Sequence, residues 1–177
     1  MTFIDKVLRV WRIAKARPYI PRCARLLDVG SFDGALLNLF PLLDHSSCGI
    51  DPRTQASKRM ITGYFPKDMP DVPPFDVITM LACLEHIPTS QLASLKDGCV
   101  RFLKPGGRLI ITVPSSVVDP LLAILKALRL IDGMSLKEHH GYRVSMTEQV
   151  FCEPSFLLLR KERFQLGLNN LFVFARL

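Results

Sequence analysis

Four short stretches of this chain carry side chains that can do chemistry together. The first, R-L-L-D-V-G-S-F-D-G (25–34), is an apolar run carrying Asp28 that breaks at Gly30 into a tight turn. A strand running through a glycine turn into a helix N-terminus is where α/β folds hold nucleotide-like ligands. Gly30 and Gly34, with the small Ser31 between them, leave room for the backbone to approach such a ligand. The second stretch, S-C-G-I-D-P (47–52), ends in Asp51. A carboxylate at the end of a second strand is placed to take both ribose hydroxyls of an adenosine. The alternative is that Asp51 caps a helix beginning near Arg53.

The third stretch, F-D-V-I-T-M-L-A-C-L-E-H-I (75–87), is a buried run delivering Glu85 and His86; the fourth, K-E-H-H-G-Y (137–142), delivers His139 and His140. If the substrate's nucleophile is a hydroxyl, a base must take its proton, and Glu85, His86 and His139 are the candidates. Glu85 and His86 have a second reading, as a pair that orders the strand-to-helix turn.

The dinucleotide fingerprint G-x-G-x-x-G is not met, since Phe32 stands where its middle glycine would sit, and no P-loop lysine follows. The five cysteines are scattered, odd in number and never spaced as a zinc clip, so they read as reduced, mostly buried thiols and no metal site is expected. The first residues lack the apolar core of a signal peptide, and no apolar run approaches the ~20 residues of a bilayer span. A cytoplasmic protein is the expectation. A net charge of +7 favours acidic partners, an anionic or membrane-associated substrate among them, without bearing on the fold.

The elements that must position these groups follow from periodicity. Residues 3–16 form an amphipathic helix, with Phe3, Ile4, Val7, Leu8, Trp11 and Ala14 on one face and Lys6, Arg9 and Arg12 opposite. It is either a basic membrane-surface helix or lid, or a helix packed on the sheet with a wet basic back. Strands are expected near 26–29, 47–52, 61–65, 75–81, 108–113, 156–165 and 170–176, and helices over 35–43, 54–62, 91–103, 119–130 and 147–152. Thr89 and Ser90 supply caps for the helix at 91–103. Strands alternating with helices give a doubly wound, mostly parallel α/β sheet of seven strands, closed by a C-terminal antiparallel hairpin. The length, 177 residues, fits a single domain.

Taken in order, the D-V-G-S-F-D-G turn, the G-I-D-P acid, the L-E-H segment and L-K-P-G-G-R-L-I-I-T-V-P (103–114) resemble the class I S-adenosylmethionine-dependent methyltransferases of small-molecule type. The match covers about 25–114. It departs from the pattern at Phe32 and in G-Y-F-P-K-D (63–68), where the family usually carries an acid for the adenine amino group. The resemblance implies a Rossmann-like sheet, S-adenosyl-L-methionine as cofactor, and Asp28, Gly30, Ser31, Gly34, Asp51, Phe65 and Leu81 around it. Either Tyr64 or Phe65 would stack on adenine, and Asp68 is the candidate for the acid. It further implies that the segment 115–146 covers the substrate, bringing His139, His140 or Tyr142 near the reacting group, and that the acceptor is a small molecule, lipid- or sugar-like. The alternatives are a binding module without turnover and a nicotinamide-dependent oxidoreductase. Nucleic acid is disfavoured because no catalytic Asn-Pro-Pro-aromatic tetrad is present.

Overall fold

The computed structural model describes residues 3–115 and 142–177. The strands are β1 (Leu26–Val29), β2 (Cys48–Asp51), β3 (Met60–Thr62), β4 (Phe75–Leu81), β5 (Leu103–Pro114), β6 (Phe156–Phe164) and β7 (Asn169–Arg176). They form one sheet in the order β3-β2-β1-β4-β5-β7-β6. The first five pair in parallel, and β7 lies antiparallel between β5 and β6. This is the expected doubly wound sheet with its closing hairpin.

Alternation along the strands sends side chains to two helical layers. Leu26, Val77, Ile110 and Val173 join Ile13 and Ala16 of α1 (Phe3–Ala16) and Leu36 and Leu37 of α2 (Ala35–Leu39). Leu27, Ile78, Leu109 and Phe172 join Leu95, Cys99 and Phe102 of α3 (Leu92–Phe102) on the other side, where α4 (Val144–Val150) also packs. Burying each valine, leucine, isoleucine or phenylalanine among these contributes about 1.5–3 kcal/mol. The central strands are covered on both faces, which is why they read as continuous apolar runs.

Several local expectations are corrected. No helix forms at 54–62: the Gly49 N–H donates to the Arg59 carbonyl at 2.8 Å, drawing the chain back so that Met60–Thr62 pairs with β2. The third strand is therefore earlier and shorter than expected. Lys104–Gly107 does not precede β5 but belongs to it, as an irregularity where the register with β4 jumps from Phe75↔Leu103 to Val77↔Arg108. The helix after β1 stops at Leu39, and neither Thr89 nor Ser90 caps α3 through its side chain. The last helix starts at Val144, ahead of the expected Thr147. Two of the five free cysteines, Cys23 and Cys152, are exposed.

The largest correction concerns α1. Its apolar face looks outward: Val7 is 45% exposed, Val10 52% and Trp11 45%. Two of the residues expected on the wet side turn inward instead. Arg9 donates to both carboxylate oxygens of Asp33 at 2.7 Å, and Arg12 is buried with Glu85 and Asp5 as compensating charges. Lys15 pairs with Glu162 of β6. Carboxylates remote in sequence thus set the rotation of the helix, while Ile13 and Ala16 suffice to fill the sheet side. The expected helix at 119–130, and most of the 115–146 segment, lie outside the described residues. Among the described residues, no helix is long and apolar enough to cross a membrane.

Candidate functional site

The C-terminal ends of β1, β2 and β4 border a cleft of about 1100 Å³. In doubly wound sheets, ligands sit at this end, where neighbouring crossovers part. Three residues of the turn after β1 adopt left-handed backbone: Gly30 (φ 79°), Phe32 (φ 49°) and Gly34 (φ 70°). Phe32 therefore has the torsion a glycine would supply, with its half-exposed ring under the Arg53 guanidinium at 5.4 Å. The turn keeps the backbone path that glycine would favour, despite the bulky side chain.

Gly30 lines the cleft, and its N–H donates to the Ile50 carbonyl at 2.9 Å. A Cβ there would lie 2.7 Å from Cys83 Sγ, so the site is shaped around a missing side chain. Asp51, at the end of β2, is buried, borders the cleft and accepts the Arg53 backbone N–H at 2.7 Å. That bond is a turn contact, since no helix follows for Asp51 to cap. Tyr64, Phe65 and Pro66 form the wall beyond β3, Phe65 resting on Phe102 with ring centroids 5.8 Å apart. Asp68 is turned to its own loop, accepting the Tyr64 N–H at 2.7 Å.

Asp28 lies beneath this surface, outside the cleft lining. Thr79 Oγ1 donates to it at 2.7 Å, while burial, with Asp51 and Asp33 nearby, pushes its carboxyl up to about 6. Ser31 is buried against Gly49, Gly34 faces Met60, and Leu81 packs with the α1–α2 core; none of the three borders the cleft.

On the β4 side, the Ala82 N–H donates to Thr112 through both its carbonyl (2.9 Å) and its hydroxyl (3.1 Å), fixing where the strand turns. A short 3₁₀ turn, Leu84–His86, follows. His86 borders the cleft; Glu85 stands behind it, 5% exposed, with Oε2 lacking a hydrogen-bond partner. Burial pushes Glu85 up to about 7, against the opposing pull of Arg12. Tyr142, half-buried, shares a 2.7 Å hydrogen bond with Thr147 and feels the charge of Glu85. Cys83, also on the lining, is held protonated by burial, with Glu85, Asp28 and Asp51 adding to the effect. His139 and His140 lie outside the described residues. Among the described residues, no three His, Cys, Asp or Glu side chains converge to hold an ion.

Sequence reasoning passed over Cys83, Gln91 and Arg12. Cys83 and Gln91 sit in or just after the A-C-L-E-H-I string, so proximity to it was their signal; Arg12 had none, because its partner is 73 positions away (Glu85 minus Arg12).

The buried state of Glu85 has a thermodynamic consequence. Its folded pKa, about 7, exceeds its ordinary value of 4.5, so the folded state holds the extra proton between those values. Stability therefore falls as pH rises through that window, by about 1.4 kcal/mol for each pH unit of displacement at most. The urea midpoint is expected to be higher at pH 5.5 than at pH 7.5, and Glu85→Gln to reduce the difference. An unchanged difference in that variant would assign the effect elsewhere, Asp28 first.

A methyltransferase-domain family model matches residues 3–149. Among curated proteins, a ubiquinone biosynthesis O-methyltransferase of Xylella fastidiosa strain M23 is 31% identical over 59% of this chain and 48% of its own. The counterpart in strain Temecula1 matches to the same extent. The chain thus spans about half the length of these curated relatives. Among solved structures, the 1,6-didemethyltoxoflavin-N1-methyltransferase of Burkholderia thailandensis, crystallised with 1,6-didemethyltoxoflavin and S-adenosylhomocysteine, superposes with a TM-score of 0.68. Identity is 17%, over 93% of this chain and 76% of that one. An S-adenosylmethionine-dependent methyltransferase from Mesorhizobium loti gives 0.65 at 15% identity, over 92% and 96%. At these identities the structural likeness is one of fold.

Proposed function

Because the chain belongs to the class I S-adenosylmethionine-dependent methyltransferase family, we propose that it transfers a methyl group from S-adenosylmethionine to a hydroxyl of a small-molecule acceptor, acting as a single domain. The observation that carries this reading is the cleft itself, with the side-chain-free Gly30 and the buried Asp51 carboxylate on adjacent strand ends. Both fit the donor. Asp51 would hold the ribose hydroxyls, the backbone at Gly30 would accept the close approach of the donor, and Phe65 with Tyr64 would flank the adenine.

When bound, S-adenosylmethionine supplies a methyl group already activated by the sulfonium charge. The chain's own contribution is then chiefly placement, for which effective molarities on the order of 10⁵–10⁸ M are known. His86, on the cleft wall, would accept the acceptor's hydroxyl proton. Glu85 behind it, in its ionised form, would balance the charge that forms on His86. A hydroxyl acceptor is favoured by the O-methyltransferase relatives, a lipid- or sugar-like one by nothing more specific than the chain's basic charge. His139 is the second base this reading allows.

Calorimetric titration with S-adenosylmethionine, S-adenosylhomocysteine and NAD⁺ tests the donor. Heat from the first two alone, followed by label transfer from methyl-tritiated donor to a panel of phenols and catechols, is the expected result. Binding of NAD⁺ alone would overturn the reading. Donor binding without transfer to any hydroxyl acceptor would leave a binding module.

A further inference from the structure

The outward face of α1 continues beyond the helix. The exposed Val7, Val10, Trp11 and Ala14 follow one another at helical spacing. At the helix end the same face reaches Arg17 and Pro18, which border a second groove of about 590 Å³, away from the cofactor cleft. Its other walls include Pro21, Arg22, Leu39 and Leu42, the two leucines 53% and 54% exposed. An apolar strip thus runs from Val7 to the end of α1 and into an apolar groove.

The basic residues around this strip divide into two sets. Arg9 and Lys15 are neutralised by Asp33 and Glu162, and Arg12 has Glu85 and Asp5 close by. Lys6, Arg17 and Arg22 are exposed, and among the described residues no acidic side chain lies within ion-pairing distance of them. Among the described residues the inward charges are balanced and the outward ones are not.

We propose that this face, from Val7 to the Arg17–Arg22 groove, docks on an anionic membrane surface. A helix lying in the headgroup region buries an apolar stripe with basic residues at its margins, and both are present here. A second copy of the chain fits the face less well. Antiparallel self-pairing would bring Lys6 of one copy beside Arg17 of the other, and the strip is far smaller than the roughly 20–30 residues a side of a stable dimer. Arg9 ties α1 to Asp33 in the turn that leads from the cleft into α2.

Trp11 is the chain's single tryptophan, so its emission reads the proposed surface directly. Vesicles of equal parts phosphatidylcholine and phosphatidylglycerol are expected to shift it to the blue and to co-sediment the protein. Phosphatidylcholine alone should do so far less, and high salt should weaken the response. Replacing Arg17 and Arg22 together by Ala should weaken partitioning roughly 30-fold. Val10→Asp should abolish co-sedimentation, with the circular dichroism melt unchanged. No shift with anionic vesicles overturns the proposal. So does emission already blue and shielded from iodide before lipid is added, which would mean that the chain covers its own strip, or a concentration-dependent dimer that shields Trp11. No methyl donor enters the assay, so its failure is separate from failure of the methyltransferase reading.

Discussion

Asp51→Ala should bind S-adenosylmethionine more weakly than the wild-type protein by roughly 10²–10⁴-fold, with little change in melting temperature. Under the proposed function the carboxylate accepts two ribose hydroxyls. Hydrogen bonds to a charged group are worth about 1.5–3 kcal/mol each, so two of them correspond to about that range of affinity. The fold depends on Asp51 much less. Among the described residues its carboxylate accepts the Arg53 backbone N–H at 2.7 Å and pairs loosely with the Arg53 guanidinium at 3.9 Å, and Arg53 lies at the surface. Asp51→Asn retains an acceptor for that N–H and should fall between wild type and Ala. Calorimetry on all three proteins, alongside thermal melts, is the check. Wild-type affinity in the Ala variant would remove Asp51 from the donor site, whereas a collapsed melt would make its role structural.

Gly30→Ala is the second large effect, and it acts on both stability and binding. The φ of 79° is left-handed, which costs an L-residue about 1–2 kcal/mol. The new Cβ would also lie 2.7 Å from Cys83 Sγ and 2.9 Å from Cys83 Cβ. Either the turn after β1 or the Ala82–His86 turn must move, adding about 1–3 kcal/mol of overpacking. A loss of roughly 2–5 kcal/mol is expected in urea unfolding, together with loss of donor binding. Cys83→Gly introduced alongside Gly30→Ala removes the collision but leaves the torsion. The double variant should therefore be more stable than the sum of the single losses implies, with a coupling of about 1–3 kcal/mol. Strict additivity would mean that the two turns do not press on each other.

The strands were readable because burial on both faces leaves apolar runs such as Phe75–Leu81, and the acid ending β2 could be placed because the run before it is so short. Rotation of α1 could not be read in the same way. Periodicity separates Val7, Val10 and Trp11 from Arg9 and Arg12, but it does not say which set faces the sheet. That was decided by Asp33, Glu85 and Glu162, which only the folded chain brings to the helix. The segment 54–62 failed for a related reason, since an edge strand of three residues is held by β2 and carries little pattern of its own. Phe32 misled in the opposite sense. Its letter departs from the family pattern, while its backbone takes the left-handed conformation the turn requires. Of the candidate site residues, Gly30, Asp51 and His86 border the cleft, and each stands at or just past the end of a strand that the sequence marks. The burial that separates Asp28 and Glu85 from the cleft surface depends on neighbours from β4 and α1.

The closing hairpin also bears on the order of assembly. Between β6 and β7 the chain spans only Gln165–Leu168, so their pairing closes a very short loop. Pairing β7 with β5 must instead bring together the ends of the span 115–168. For flexible loops the difference in closure entropy is roughly 2 kcal/mol, and it favours forming the hairpin first. The route to the native sheet then adds the hairpin to β5 as one preformed piece. Phe172 and Phe174 enter the core together at that step, so cooperative closure of the core coincides with the attachment of a single two-stranded unit.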